Sequence, residues 1–233
     1  MPKLLEALQS QVGRKILTGV TGVALTLFVI VHLIGNLTLF GSPEAFNAYA
    51  YFLESQGILL IIAEIGLIAV VGVHAWIGIS IWWNRRRARP VKYAVYSSKG
   101  GPSRQTLSSR TMAFTGVILL LFIVIHVRTF KFGDAAMVEL AGGELARDLK
   151  TLVIDTFMDP FWAFGYTFVM ILLGVHLGHG LWSSLTSLTM RSRGMSAMVY
   201  TAGTVTAFLL AVGFLSIPLY IFFSGGQGAL LQF

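Results

Sequence analysis

The run ILTGVTGVALTLFVIVHLIGNLTLF, residues 16–40, decides the class of fold. It contains no Asp, Glu, Lys or Arg. At a rise of about 1.5 Å per residue, roughly 20 such residues cross the hydrocarbon core of a bilayer. The run lacks a small-residue cleavage site after a short apolar core, so it is expected to remain as an anchor and not to be removed as a secretory signal. Four more apolar stretches follow, giving spans over Arg14 to Phe40, Gly57 to Trp83, Ser108 to Phe130, Pro160 to Thr189 and Ser196 to Phe223. Composition agrees: of 233 residues, 55% are hydrophobic and only 12% charged, outside the range of ordinary soluble domains. The expected fold is all-α, one integral membrane bundle of five transmembrane helices comprising residues 1–233.

Charge sets the expected orientation. Lys3, Arg14 and Lys15 precede the first span, Arg85, Arg86, Arg87, Arg89, Lys92, Lys99, Arg104 and Arg110 lie between the second and third, and Arg191 and Arg193 follow the fourth. Those thirteen of seventeen basic residues share one side if the helices alternate, leaving Arg128, Lys131, Arg147 and Lys150 on the other. The positive-inside rule then places the N-terminus in the cytoplasm and the C-terminus outside, in the cell inner (cytoplasmic) membrane. A net charge of +7 raises the question of nucleic acid, but the basic residues flank apolar spans and do not interleave with aromatics on a polar domain, so no nucleic-acid partner is expected and membrane lipid is. With no cysteine, the chain can hold neither disulfides, thiolate iron–sulfur clusters nor covalently attached haem c.

Two connections carry further expectations. Asn84 to Arg110, with its arginine-rich start and Gly100-Gly101-Pro102 turn, reads as a cytoplasmic loop whose charge both stops transfer and suits a docked partner. On the other side, Leu145, Leu149, Leu152 and Val153 follow helical spacing within Asp134 to Asp159, predicting an amphipathic helix on the membrane surface. No internal repeat is found.

All five histidines fall within the spans: His32 in the first, His74 in the second, His126 in the third, His176 and His179 in the fourth. Ionisable groups at membrane depth are costly and usually functional, and neutral imidazole is the common axial ligand of haem iron. Because odd helices run outward and even helices inward, position along the helix gives depth. His32 and His126 come out near the outer surface, and His74 and His176 lie nearer the cytoplasm at similar levels. A depth difference of about nine residues separates the two pairs by roughly 14 Å. Two bis-histidine haems b at that spacing form a path for electrons, with no iron position open to oxygen. His179, three residues after His176 and on nearly the same face, competes with it as fourth ligand.

These segments resemble the five-helix, two-haem cytochrome b anchor subunit of succinate dehydrogenases and fumarate reductases. The similarity runs through Gly19-Val20-Thr21-Gly22, Val31-His32-Leu33-Ile34-Gly35-Asn36, Glu44-Ala45-Phe46-Asn47, His74-Ala75-Trp76-Ile77-Gly78, Ile125-His126-Val127-Arg128 and His176-Leu177-Gly178-His179-Gly180-Leu181-Trp182. The resemblance maps the fourth ligand to His176 and leaves His179 beside the haem, near a propionate. It implies an iron–sulfur subunit docked on the cytoplasmic face, a flavoprotein beyond it, and exchange of electrons and protons with a membrane quinone, menaquinone being the expected one. No dicarboxylate site is expected in this chain. Quinone chemistry needs a proton donor and acceptor. Glu54, in the outer connection, and Glu64, about two turns into the second helix, are the candidates, with Glu54 preferred. Arg128 and Lys131 outside, and Arg14, Lys15 and Arg191 inside, are positioned to meet haem propionates, although snorkelling toward headgroups explains such residues equally well. Some similar proteins carry an acid two residues before the fourth ligand as a proton route across the bilayer; this chain has Gly174 there. Two rivals stand beside this reading: a dihaem subunit of a hydrogenase or formate dehydrogenase, and a haem-free proton-coupled transporter.

Overall fold

A computed structural model describes residues 2–42, 44–88, 107–188 and 193–226. The Gly100–Pro102 turn, Arg89, Lys92, Lys99, Arg104 and Arg191 lie outside the described residues. Nearly everything described is helical: α1 (Pro2–Gln9), α2 (Gln11–Leu37, ending in a 3-10 turn over Thr38–Phe40), α3 (Ala45–Ser55), α4 (Ile58–Arg87), α5 (Leu107–His126, continued as a π-helical turn over Val127–Lys131), α6 (Leu149–Met158), α7 (Pro160–Leu188) and α8 (Arg193–Phe223). Five of these elements, Gln11–Phe40, Ile58–Arg87, Ser108–Lys131, Pro160–Leu188 and Ala197–Phe223, are long and apolar enough to cross a membrane. The chain is a multi-pass membrane protein by that measure.

The reason these segments are helical is the solvent. In hydrocarbon, every backbone N–H and C=O must be satisfied within its own segment, and the α-helix does this. Threonines within the spans follow the same rule, since the hydroxyls of Thr18, Thr21 and Thr26 donate to the carbonyls of Arg14, Leu17 and Gly22 at 2.7, 2.7 and 2.8 Å. α4 is apolar all round and leaves Ile61, Ile62, Ile65, Ile68 and Trp76 exposed, the pattern of a lipid-facing helix. Pro218 sits inside α8, where its missing N–H bends a helix.

Two compact units divide the chain, and every long helix contributes to both. The first comprises Met1–Leu27, Leu67–Ile118 and Leu173–Leu209. Here α2 meets α7 through small residues: a Cβ on Gly22 would stand 2.6 Å from Ser184 Oγ, and one on Gly19 would stand 3.3 Å from the Ser184 carbonyl oxygen. Gly203 of α8 packs on Leu181 and Trp182 in the same unit. At the end of α4, Arg86 and Arg87 lie over the rings of Trp82 and Trp83 at 4.5 and 5.3 Å, so charge and aromatic belt coincide.

The second unit comprises Phe28–Gly66, Leu119–Leu172 and Leu210–Phe233. It includes a cap absent from the sequence expectation. The segment predicted as one amphipathic helix instead begins with an antiparallel hairpin, β1 (Met137–Glu139) against β2 (Leu145–Arg147), and becomes helical only at Leu149. Leu145 therefore sits on a strand and is exposed, while Val153, Ile154 and Phe157 of α6 are buried. Asp148 caps α6, accepting from the Thr151 N–H at 3.2 Å. Asn47 of α3, only 5% exposed, ties the pieces together by donating to Asp148 Oδ1 and accepting from the Lys150 N–H, both at 2.9 Å. α3 itself was not anticipated; Gly57, at φ +53°, makes the left-handed turn that separates it from α4.

Candidate functional site

The first unit holds His74, His176 and His179, and the second holds His32 and His126. In the first, His74 of α4 and His176 of α7 lie within electrostatic range of each other, with His179 in range of His176. His74 Nδ1 meets the Thr21 hydroxyl of α2 at 3.0 Å, and His176 Nδ1 meets the Thr115 hydroxyl of α5 at 3.0 Å. Glycines make room beside both rings. A Cβ on Gly22 would stand 3.5 Å from His74 Cε1, and one on Gly116 would stand 3.3 Å from His176 Cε1. The Ser108 hydroxyl of α5 donates to the carbonyl of Val175, immediately before His176. His179 is half-buried and takes part in no comparable hydrogen bond among the described residues. Arg14 and Lys15 stand in the opening turns of α2 in this unit, Arg14 half-buried and Lys15 exposed.

In the second unit the rings of His32 on α2 and His126 on α5 meet edge to face, with centroids 5.7 Å apart. Centroids at that distance are ordinary for an edge-to-face aromatic pair. Aromatic side chains wall the pair: Phe28 stacks on His32 at 5.4 Å, Phe214 lies 5.9 Å away, and Phe122, Phe130 and Tyr166 surround His126 at 5.5, 5.3 and 6.2 Å. His126 Nδ1 is buried without a hydrogen-bond partner. The Tyr166 hydroxyl is buried beside it in the same cluster, with Thr129 alongside but no hydrogen bond of ordinary geometry. Neither the threonines of the first unit nor Tyr166 was singled out from the sequence.

The second unit also places both candidate acids. Glu64 of α4 pairs with Lys131 at the end of the π turn. The Arg147 guanidinium reinforces that turn by donating to the carbonyls of Lys131 at 2.9 Å and Gly133 at 2.6 Å. π turns tend to occur at functional sites, and this one directly follows His126 and carries Arg128, which is exposed. Glu54, in the last turn of α3, is exposed and its carboxylate has no partner among the described residues.

Imidazoles offered by neighbouring helices are side chains that could hold a haem. The buried Nδ1 of His126, without a hydrogen-bond partner among the described residues, is a nitrogen that a bound group could engage. Comparison with protein-family models, with curated proteins and with solved structures returns no match.

Proposed function

We propose that this chain is the dihaem cytochrome b membrane anchor of a succinate:quinone oxidoreductase, passing electrons between a cytoplasmic iron–sulfur subunit and a membrane quinone. The observation that carries the reading is the sorting of four histidines from four successive spans into two pairs, each collected within its own compact unit. Haem b held at each pair supplies one-electron redox chemistry. The chain's own residues do the rest. His32 and His126 bind one group and His74 and His176 the other, each offering an imidazole nitrogen from one of two neighbouring helices. Aromatic walls around His32 and His126 exclude water from that site. Arg128 outside and Arg14 and Lys15 inside are the cations for propionates, while Lys131 is already engaged by Glu64.

Quinone reduction consumes two electrons and two protons, so a carboxylate able to shuttle a proton is needed near the haem that meets the quinone. Glu64 serves this better than Glu54: it lies on a spanning helix, half-buried, with Lys131 to hold its carboxylate and to share the proton load. The arginine-rich end of α4 suits docking of the acidic face of a soluble partner. Orientation follows the positive-inside rule, N-terminus cytoplasmic and C-terminus outside.

The test is a pyridine haemochrome assay on the detergent-purified chain with reduced-minus-oxidised spectra of single variants. Two haems b per polypeptide are expected, with His32→Ala or His126→Ala losing one and His74→Ala or His176→Ala losing the other. A folded preparation with no haem sinks the reading and leaves the transporter. Two haems with a hydrogenase or formate dehydrogenase subunit co-purifying would keep the cytochrome and reassign its complex.

A further inference from the structure

Threonine in an apolar helix commonly satisfies its hydroxyl on its own backbone, so Thr21 and Thr115 would attract no notice singly. Together they recur. Thr21-Gly22-Val23 precedes His32 by the same eleven-residue step, Thr to His, with which Thr115-Gly116-Val117 precedes His126, and Leu25, Leu27 and Phe28 match Leu119, Leu121 and Phe122 between them. The partner helices repeat as well: Gly72-Val73-His74 with Gly78 matches Gly174-Val175-His176 with Gly180. The first helix pair and the second are thus two copies of one short pattern, which corrects the expectation of no internal repeat. In both copies the threonine of the first helix reaches the histidine of the second, Thr21 to His74 and Thr115 to His176, each at 3.0 Å.

Proton placement follows from counting donors. A hydroxyl has one hydrogen. That of Thr21 is directed at the Leu17 carbonyl at 2.7 Å with Thr18 O at 3.2 Å, and that of Thr115 at Thr111 O and Met112 O at 3.1 and 3.2 Å. Both oxygens are left as acceptors for an imidazole N–H, beside the Thr18 and Met112 carbonyls that also face His74 and His176. We infer that Thr21 and Thr115 are positioning residues that commit His74 and His176 to the Nδ1–H form, leaving Nε2 of each as the nitrogen that would hold the haem iron. The inference rests on the haem reading above. Hydrogen bonding of the remote N–H makes a ligating imidazole more basic, which favours ferric over ferrous iron. Gly116, next to Thr115, leaves room for the His176 ring, whose Cε1 a Cβ there would approach to 3.3 Å.

The experiment is a redox titration of the haems in Thr21→Val and Thr115→Val, with Thr→Ser variants at both positions and Thr26→Val as control; Thr26 is buried and bonds only the Gly22 carbonyl at 2.8 Å. Each valine variant is expected to raise the midpoint of one haem and leave the other in place. About a tenfold loss of ferric preference, corresponding to about 59 mV, is the expected size. Serine restores the wild-type value and the control does not move. Selective loss of that one haem from a valine variant, with serine retaining it, also supports the inference. Should a valine variant fail to accumulate, the alanine variant is titrated in its place, with the same expectation. Two haems with unmoved potentials in both single variants and the double variant overturn the inference while leaving the haem reading intact. A haem-free wild-type chain overturns the haem reading instead.

Discussion

His179 and His176 are alternative fourth ligands in the proposed cytochrome, and the repeat favours His176. The position matching His176 in the first helix pair is His74, whereas the position matching His179 is Ile77, a buried apolar residue. His179 also lacks a hydroxyl partner of the kind that holds His176. His179→Ala is therefore expected to retain both haems with at most a modest shift in one potential, and His176→Ala to lose one; a haem count on the two variants checks this. Glu64 carries the second expectation. General acid–base groups contribute roughly 100-fold or more to the steps they serve. Glu64→Gln should lower kcat for quinone turnover by about that factor with little change in KM, whereas Glu54→Gln, altering an exposed carboxylate at the end of α3, should leave both near wild type. Steady-state assays with a short-chain quinone distinguish them, and equal losses in the two variants would restore Glu54 to the proton path.

Among the elements, the cap of α3, the hairpin and α6 depends most on single polar contacts. Asn47→Ala leaves Asp148 without one donor and the buried Lys150 N–H without its acceptor, at a cost of about 1–3 kcal/mol. Limited proteolysis across residues 134–159 and thermal denaturation in detergent read that loss. The same contact sets an acid sensitivity. Burial alone would raise the Asp148 carboxyl, but hydrogen bonds from Asn47 and Thr151 and the charge of Lys150 outweigh it and hold the group below its ordinary 3.8. A carboxylate with a depressed value stabilises the fold above its unfolded-state value and loses that contribution as pH falls through the folded one. The cap should thus become protease-sensitive as pH drops below about 3.8, and less steeply so in Asn47→Ala. Sequence periodicity located the five spans to within a few residues, because hydropathy summed over some 20 positions leaves little room for error. It missed the cap for the converse reason. Leu145, Leu149, Leu152 and Val153 fit helical spacing, yet a three-residue strand is too short to announce a period, and the contacts that fix it, Asn47 to Asp148 and Ala141 N–H to Glu44, come from a distant part of the chain. Thr21 and Thr115 carry a signal only as a repeated pair, which the expectation of no internal repeat passed over.

Charge and polarity along the whole chain bear on the direction of turnover. Thirteen of seventeen basic residues fall on the side assigned to the cytoplasm, where an iron–sulfur partner would deliver or collect electrons. The Glu64–Lys131 pair belongs to the other unit, with His32 and His126. On the proposed reading, an electron moving from the cytoplasmic side to a quinone near Glu64 would cross the membrane potential, worth about 2.3 kcal/mol per charge per 100 mV. A proton moving with it would cancel the effect, but Gly174 offers no ionisable group beside His176 to carry one. In sealed proteoliposomes of the complete complex with the soluble subunits outside, a potential negative on their side should accelerate quinone reduction by succinate, and valinomycin with potassium should slow it. The reverse reaction, quinol oxidation with fumarate, should respond with the opposite sign and should build a potential when none is imposed. Rates indifferent to valinomycin in both directions would mean either that the quinone reacts on the cytoplasmic side or that a proton crosses by residues other than that glycine position, and Glu64→Gln then separates the two, slowing turnover only if quinone chemistry stays beside the Glu64–Lys131 pair.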